Sequence, residues 1–116
     1  YLIRDGLRES LKALDLKLLV TKDSYASPTV TSFIPHDKDE LTYIKSTLKS
    51  RFNITIAGGQ GKLKGTILRI GHMGKVSPFD ILSVVSALEI ILTDYRKINY
   101  IGKATLKFTE VIQHDA

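Results

Sequence analysis

The sequence predicts an α+β fold: a small, mostly antiparallel sheet of about four strands, with helices packed on one face. Two observations carry this prediction. Several segments repeat apolar residues every three or four positions, as helices do, and short segments rich in β-branched residues stand between turn residues. A glycine-rich turn then joins two of the predicted strands, which favours an antiparallel hairpin. The length of 116 residues suits one domain, and 43% hydrophobic with 25% charged residues is typical of a globular protein.

The first third of the chain is predicted to form one helix and two strands. The helix follows from an apolar stripe of 3.6-residue period, made of Ile3, Leu7, Leu11 and Leu14. Alternation over 16–20 and a β-branched and aromatic run over 29–34 predict two short strands, separated by the polar loop Thr21–Pro28. No capping residue precedes the first helix, which is expected of a chain cut from a longer polypeptide, although a frayed terminus would give the same pattern.

The rest of the chain is predicted to add three helices and a hairpin. Asp37 and Glu40 have the spacing of a capping box before a helix that ends near residue 51. Strands are predicted over 54–57 and 66–71, with the glycine-rich loop 58–65 between them. Ser77 and Asp80 indicate a capped helix with a buried stripe of Ile81, Val85, Leu88 and Leu92, widened by Val84 and Ile91. A last helix is predicted over about 99–113, weakened by Gly102.

The distribution of charge points to an anionic partner. The net charge is +5, and no acidic residue lies between Leu41 and Phe79, where seven basic side chains lie: Lys45, Lys49, Arg51, Lys62, Lys64, Arg69 and Lys75. A region of one sign attracts anions, although a solvated basic face would look the same. Binding to single-stranded nucleic acid usually needs aromatic side chains among the cations, and the predicted hairpin has none. A smaller anion therefore fits better than nucleic acid.

Arg69 is the most unusual residue of this basic region. Because side chains alternate along a strand, Thr66, Leu68 and Ile70 share one face and Arg69 lies on the other. An arginine among isoleucine and leucine is costly to dehydrate unless an anion meets it, and its planar fork suits a carboxylate. An arginine on the solvated face of a one-sided sheet is the alternative interpretation.

Other kinds of site find little support in the sequence. The chain has no cysteine, which excludes a disulfide scaffold and a thiolate metal site. His36, His72 and His114 have no metal-ligand spacing, and His72 is expected to be a loop residue that hydrogen-bonds to backbone. The glycine-rich loop lacks the ending of a phosphate-binding loop. No apolar run is long enough to span a bilayer, so no membrane partner and a cytoplasmic location are expected.

Three segments together resemble one family. They are residues 27–31, residues 54–61, and residues 65–74 with the string Arg-Ile-Gly-His-Met-Gly from Arg69 to Gly74. In this order they resemble the C-terminal small domain of class V aminotransferases, the pyridoxal-phosphate enzymes that include alanine–glyoxylate and serine–pyruvate aminotransferase. The resemblance extends from the first helix to about Tyr95. It implies the C-terminal domain of a fold-type I aminotransferase.

The resemblance also implies a function. The matching arginine of the family binds the substrate's α-carboxylate, so Arg69 is expected to do so here, in an enzyme that transfers an amino group from an alanine- or serine-type amino acid to a glyoxylate- or pyruvate-type 2-oxo acid. The family's pyridoxal 5'-phosphate is held by a large N-terminal domain, so no catalytic, cofactor-binding or metal-binding residue is assigned to this chain. We expect residues 1–116 to be one domain of a homodimeric enzyme, inactive alone.

Two alternatives remain open at this stage. The chain could be a free-standing basic module that binds nucleic acid or another polyanion through the region between Lys45 and Lys75. It could also keep the fold without the chemistry, as a regulatory or dimerising domain.

Overall fold

The computed structural model describes residues 2–20, 30–59, 61–72 and 77–114. The regular elements are α1 (Leu2–Ala13), β1 (Lys17–Leu18), β2 (Val30–Ile34), α2 (Lys38–Phe52), β3 (Ala57–Gly58), β4 (Leu68–Gly71), α3 (Pro78–Arg96) and α4 (Lys103–His114). A short 3-10 helix, Gly61–Leu63, lies between β3 and β4. The predicted loop Thr21–Pro28 lies outside the described residues, as do the ends of two family-like segments, 27–29 and 73–74, together with Gln60 and Lys75.

The four strands form one sheet in the order β1-β2-β4-β3, and every neighbouring pair is antiparallel. This sheet with four helices confirms the predicted fold class and the β3–β4 hairpin. β1, β3 and β4 are shorter than predicted, and β2 agrees with its prediction over the described residues. β4 begins at Leu68 rather than Thr66 because residues 64–66 form a turn, in which Lys64 N donates to Gly61 O and Thr66 N donates to Leu63 O. β3 is an edge strand and pairs only over Ala57 and Gly58.

The core lies between the helices and one face of the sheet. Phe33 of β2 and Leu68 and Ile70 of β4 contribute the sheet side of this core. Most members of the predicted helical stripes are buried as expected, whereas Ile3 and Val84 are partly buried and pack against the core. The buried members are Leu7, Leu11, Leu14, Ile81, Val85, Leu88, Ile91 and Leu92. α1 also packs closely on α4, where a Cβ added at Gly6 would come within 3.0 Å of the Phe108 ring. None of the described helices combines the length and apolar character needed to cross a bilayer.

The helix termini agree with the sequence in part. Ser77 and Asp80 form a reciprocal capping box at the start of α3, as predicted. Asp37 caps α2 by accepting from Glu40 N at 2.7 Å, but the Glu40 carboxylate does not complete the predicted box with Asp37. It turns inward instead. α4 begins at Lys103 rather than near residue 99, because Gly102 has a φ of +83°, which a helix does not accept.

The inward-turned Glu40 forms a buried ion pair with Arg96 at the end of α3. Their side chains are only 3% and 6% exposed, and the guanidinium donates through Nε and Nη2 to both carboxylate oxygens. Arg96 Nη1 also donates to Leu14 O at 2.6 Å and to Tyr100 Oη at 3.1 Å. Burial alone would lower the pKa of Arg96, but the hydrogen bonds to Glu40 and Tyr100 raise it above its ordinary value. The pair therefore ties α2, α3 and the chain after α1 together.

Candidate functional site

Arg69 lies on β4, an inner strand of the sheet between β2 and the edge strand β3. Its Cα lies opposite Ser32 of β2 and opposite Ala57 of β3. Leu68 and Ile70 on either side of it are buried in the core, whereas Arg69 is half-buried. Alternation along β4 therefore places the Arg69 side chain on the face of the sheet that points away from the core. Thr66, which was predicted to share the inner face, lies instead in the exposed turn before β4.

The guanidinium of Arg69 is held by a single hydrogen bond. Its Nε donates to the backbone oxygen of Gly58 at 2.8 Å, across the β3–β4 hairpin. Neither terminal nitrogen hydrogen-bonds to a described residue, and no described carboxylate pairs with Arg69. The bond to Gly58 fixes the direction of the side chain, and the two terminal N–H groups remain available to a ligand. A carboxylate is the ligand that such a planar pair of donors matches best.

A cleft of about 510 Å³ lies beside Arg69, and residues 54–57, 69–71 and the first turns of α3 line it. Asp80 is the acidic residue among these described lining residues. Its carboxylate accepts the backbone N–H of Ser77 at 3.1 Å as part of the α3 capping box. The local acid is therefore engaged in helix capping, and Arg69 lines the cleft without a neutralising partner among the described residues.

The position of the Gly58 carbonyl depends on the turn that follows it. A Cβ added at Gly59 would lie 2.3 Å from Leu63 O, so only glycine lets the chain pass this close to the 3-10 helix. The sequence predicts a turn in this loop, and the structure adds the reason for its glycine: the backbone of Gly59 lies directly against that of Leu63. This packing holds β3 in register with β4, and thereby holds Gly58 O where Arg69 Nε can reach it.

Two of the histidines make hydrogen bonds within the described fold. His72 is buried directly after β4, outside the regular elements as predicted, and its Nε2 lies 2.8 Å from Thr31 Oγ1. His36 Nε2 lies 3.0 Å from Asp15 O, and its Nδ1 lies 3.7 Å from Glu40. Over the described ranges, no three metal-binding side chains come together. The His72–Thr31 contact joins β4 to β2 next to the pair that Arg69 forms with Ser32.

The lysines of this chain do not by themselves make a cofactor site. Every lysine that the structure describes is exposed, and none lines the cleft beside Arg69. A lysine that binds an aldehyde cofactor needs a surrounding that lowers its pKa, such as burial or a nearby cation. The described residues therefore do not fit pyridoxal phosphate as a group bound by this chain alone.

The curated relatives of this chain carry names of two kinds, hydrogenase subunit and aminotransferase. The chain matches no protein-family model. It is 47% identical over 98 residues to a protein named soluble hydrogenase, small subunit, from Synechococcus sp. (strain PCC 6716), which covers 84% of this chain and 25% of that protein. Further curated relatives are named aminotransferases, and the chain spans about a quarter of their length.

Solved structures similar to this chain include aminotransferases. Pyridoxamine-pyruvate aminotransferase from Mesorhizobium loti matches with a TM-score of 0.89 at 28% identity, over 99% of this chain and 30% of that one. Ureidoglycine-glyoxylate aminotransferase from Bacillus subtilis matches with a TM-score of 0.81 at 30% identity, over 97% of this chain and 29% of that one. By sequence and by fold, the chain therefore belongs to the class V aminotransferases, as a segment about a quarter to a third as long as its relatives.

Proposed function

We propose that this chain is the C-terminal small domain of an aminotransferase and that Arg69 binds the α-carboxylate of its substrates. The observation that carries the proposal is the state of the Arg69 guanidinium. One nitrogen is fixed by Gly58 O, and the two terminal nitrogens have no partner among the described residues beside a cleft. Charged donors of this kind form their strongest hydrogen bonds with a ligand that carries a carboxylate.

Arg69 would contribute to the reaction by orientation. A carboxylate held through two parallel N–H···O bonds loses most of its rotational freedom, so the amino group and the Cα–H bond of the substrate take a fixed direction. Amino acids and 2-oxo acids both carry this carboxylate, and one arginine can therefore serve both directions of amino transfer. The substrates we propose are an alanine- or serine-type amino acid and a glyoxylate- or pyruvate-type 2-oxo acid. Two similar structures carry pyruvate and glyoxylate in their names, which supports this choice.

The remaining machinery is proposed to lie outside this chain. Pyridoxal 5'-phosphate, bound by a large N-terminal domain of the same polypeptide, would supply the electron sink of the reaction. Large apolar side chains exposed on this chain support a partner surface: Phe79 is 77% exposed, Leu106 57% and Ile101 55%. We further propose that the enzyme is a cytoplasmic homodimer and that residues 1–116 alone are inactive.

The test is to replace Arg69 with alanine in the full-length protein and to measure kcat/KM for alanine with glyoxylate. Removing one partner of a buried, hydrogen-bonded charge pair costs about 2–5 kcal/mol, so we expect kcat/KM to fall about thirtyfold or more. Cofactor binding, followed by absorbance, should be retained. Arg51→Ala is the matched control, because Arg51 pairs with Asp94 on the surface at 3.2 Å, and its loss should change kcat/KM less than twofold.

A second measurement separates carboxylate binding from general damage. Ethylamine has the skeleton of alanine without the carboxylate, so the ratio of kcat/KM for alanine to that for ethylamine should fall strongly in Arg69→Ala. An unchanged ratio, or near-normal activity with alanine, would contradict the proposed role of Arg69.

Two curated relatives are named as soluble hydrogenase subunits. This chain carries no cysteine and therefore brings no thiolate to a metal site. Oxidation of hydrogen by the purified full-length protein, without amino transfer, would overturn the aminotransferase proposal.

A further inference from the structure

A second cleft, of about 950 Å³, lies between α2 and the connection from β3 to β4. Its floor is apolar and buried, with Leu41 of α2, Ile56 before β3 and Ile67 before β4 at 8%, 7% and 2% exposure. A cleft of this volume is within the range that small-molecule ligands occupy. It is distinct from the cleft beside Arg69: Arg69 does not line it, and the two meet only along residues 55–56.

Four lysines surround this apolar floor. Lys38, Lys45 and Lys49 follow one another at spacings of seven and four residues, so they lie on one face of α2. Lys64 approaches from the turn on the opposite side. No acidic side chain stands among the described residues that line the cleft, which therefore concentrates four like charges around one space.

The charges of these lysines are not neutralised by any described residue. None of the four forms a hydrogen bond or an ion pair through its side chain with the part of the chain that the structure describes. The other described lysines are unpaired as well, except Lys12, which pairs with Glu9 at 2.8 Å, so the cleft differs from the rest of the surface in gathering four such charges in one place. Like charges that share a cleft repel one another, and a bound anion removes that cost.

Two of the lysines reach across the cleft toward glycines. Lys45 Nζ lies 3.5 Å from the position that a Cβ of Gly58 would occupy, and Lys38 Cε lies 3.9 Å from that of Gly65. Their side chains thus extend from α2 over the backbone of the hairpin, while both lysines remain exposed to solvent. This direction brings positive charge from the helix wall to the hairpin wall.

We propose that this cleft binds a small anion carrying two or more phosphate groups. The cationic side chains that line it are all lysines, which act as point charges toward phosphate, whereas a planar carboxylate favours the fork of an arginine such as Arg69. No aromatic side chain is present among its described lining residues, so stacked bases of a nucleic acid find no platform there. The short reach of the cleft, from α2 to one hairpin, favours a compact ligand over a polymer.

The test measures binding of inorganic triphosphate to the full-length protein by calorimetry, with pyridoxal phosphate in excess so that the cofactor's own phosphate site is filled. Lys45→Gln with Lys49→Gln removes two charges from the cleft and keeps residues that favour a helix. Lys103→Gln with Lys107→Gln is the matched control, because both lysines are exposed on α4 and neither lines the cleft. We expect the cleft variant to bind about tenfold more weakly and the control less than twofold, as for two lost charge contacts near a surface.

Further binding measurements distinguish between classes of ligand. Tricarballylate, a tricarboxylate of similar charge, should bind at least about fivefold more weakly than triphosphate, since lysines provide no planar match for a carboxylate. Arg69→Ala should leave triphosphate binding unchanged, so this test can fail or succeed independently of the aminotransferase proposal. Any one of four results would overturn the inference. They are the absence of saturable triphosphate binding, an equal loss of affinity in both lysine-pair variants, tighter binding of tricarballylate than of triphosphate, and a higher affinity for single-stranded oligonucleotides than for triphosphate.

Discussion

Two arginines of this chain, Arg69 and Arg96, have contrasting environments. Arg96 uses all three guanidinium nitrogens: two donate to Glu40, and the third donates to Leu14 O and Tyr100 Oη. Arg69 uses only Nε, toward Gly58 O, and pairs with no described carboxylate. Arg96 is nearly inaccessible, and Arg69 is half-buried beside a cleft. The first has a permanent acid supplied by the fold, and the second has none.

Under the proposed function, this difference separates a structural arginine from a ligand-binding one. A buried guanidinium must be paired, since removing either partner leaves an uncompensated charge in the interior. The fold meets this requirement for Arg96 by turning Glu40 away from its cap position. For Arg69 it provides direction through one backbone acceptor, and the terminal nitrogens have no partner among the described residues, which is the arrangement that the proposed carboxylate-binding role requires.

The largest effect on stability should follow from breaking the Arg96 pair. Glu40→Ala leaves Arg96 buried without its carboxylate, and we expect the free energy of unfolding to fall by about 3–5 kcal/mol. Denaturant unfolding measures this loss. Asp94→Ala, which removes the exposed pair with Arg51, is the control and should cost less than about 1 kcal/mol. Equal losses in the two variants would mean that the Glu40–Arg96 pair does not hold the helices together.

A smaller effect, on activity, should follow when Arg69 is given a carboxylate partner within the fold, as Arg96 has in Glu40. Ala57 is exposed and lies directly opposite Arg69 on β3, so the side chains of this cross-strand pair share one face. Ala57→Glu would supply a local carboxylate that competes with the substrate, and we expect kcat/KM for alanine to fall about 10- to 100-fold, or about 1.4–2.7 kcal/mol. Ala57→Gln has nearly the same shape without the charge. If the glutamine variant loses as much activity as the glutamate variant, competition for Arg69 is not the cause.

The smallest effect should be that of Arg69 on stability. Arg69→Ala removes one hydrogen bond to Gly58 O, a carbonyl on a partly exposed edge strand that water can reach. We expect the free energy of unfolding to change by less than about 1 kcal/mol. Denaturant unfolding beside Glu40→Ala makes the comparison direct. A loss as large as that of Glu40→Ala would make Arg69 a structural residue and would remove the contrast on which its proposed role depends.

Local sequence patterns predicted much of the fold because they express local physics. The apolar stripes of α1 and α3 predicted their buried faces, and the Ser77–Asp80 spacing predicted a capping box that the structure contains. Strand ends were predicted less well, since an edge strand such as β3 extends only as far as its neighbour offers partners. The start of α4 shifted because Gly102 adopts a left-handed conformation, a choice that no periodicity encodes.

The features of the candidate sites were likewise predictable only where they depend on one segment of the chain. Alternation along β4 was enough to turn Arg69 away from Leu68 and Ile70, because that rule depends on one strand alone. The Arg69–Gly58 bond and the lysine cleft were not predictable, since each joins residues from different elements. Glu40 was assigned to a cap on spacing, but Arg96 lies 56 residues further along the chain and competes for the same carboxylate.

The sequence by itself determined which segments are helical or extended, which faces are apolar, and that positive charge gathers between residues 41 and 79. These properties follow from side-chain volume, hydrophobicity and spacing over a few residues. Only the tertiary structure decided which cations are neutralised and which remain available to ligands. The physical reason is that Coulomb and hydrogen-bond energies depend on distances in space, and folding sets those distances between residues far apart in the chain.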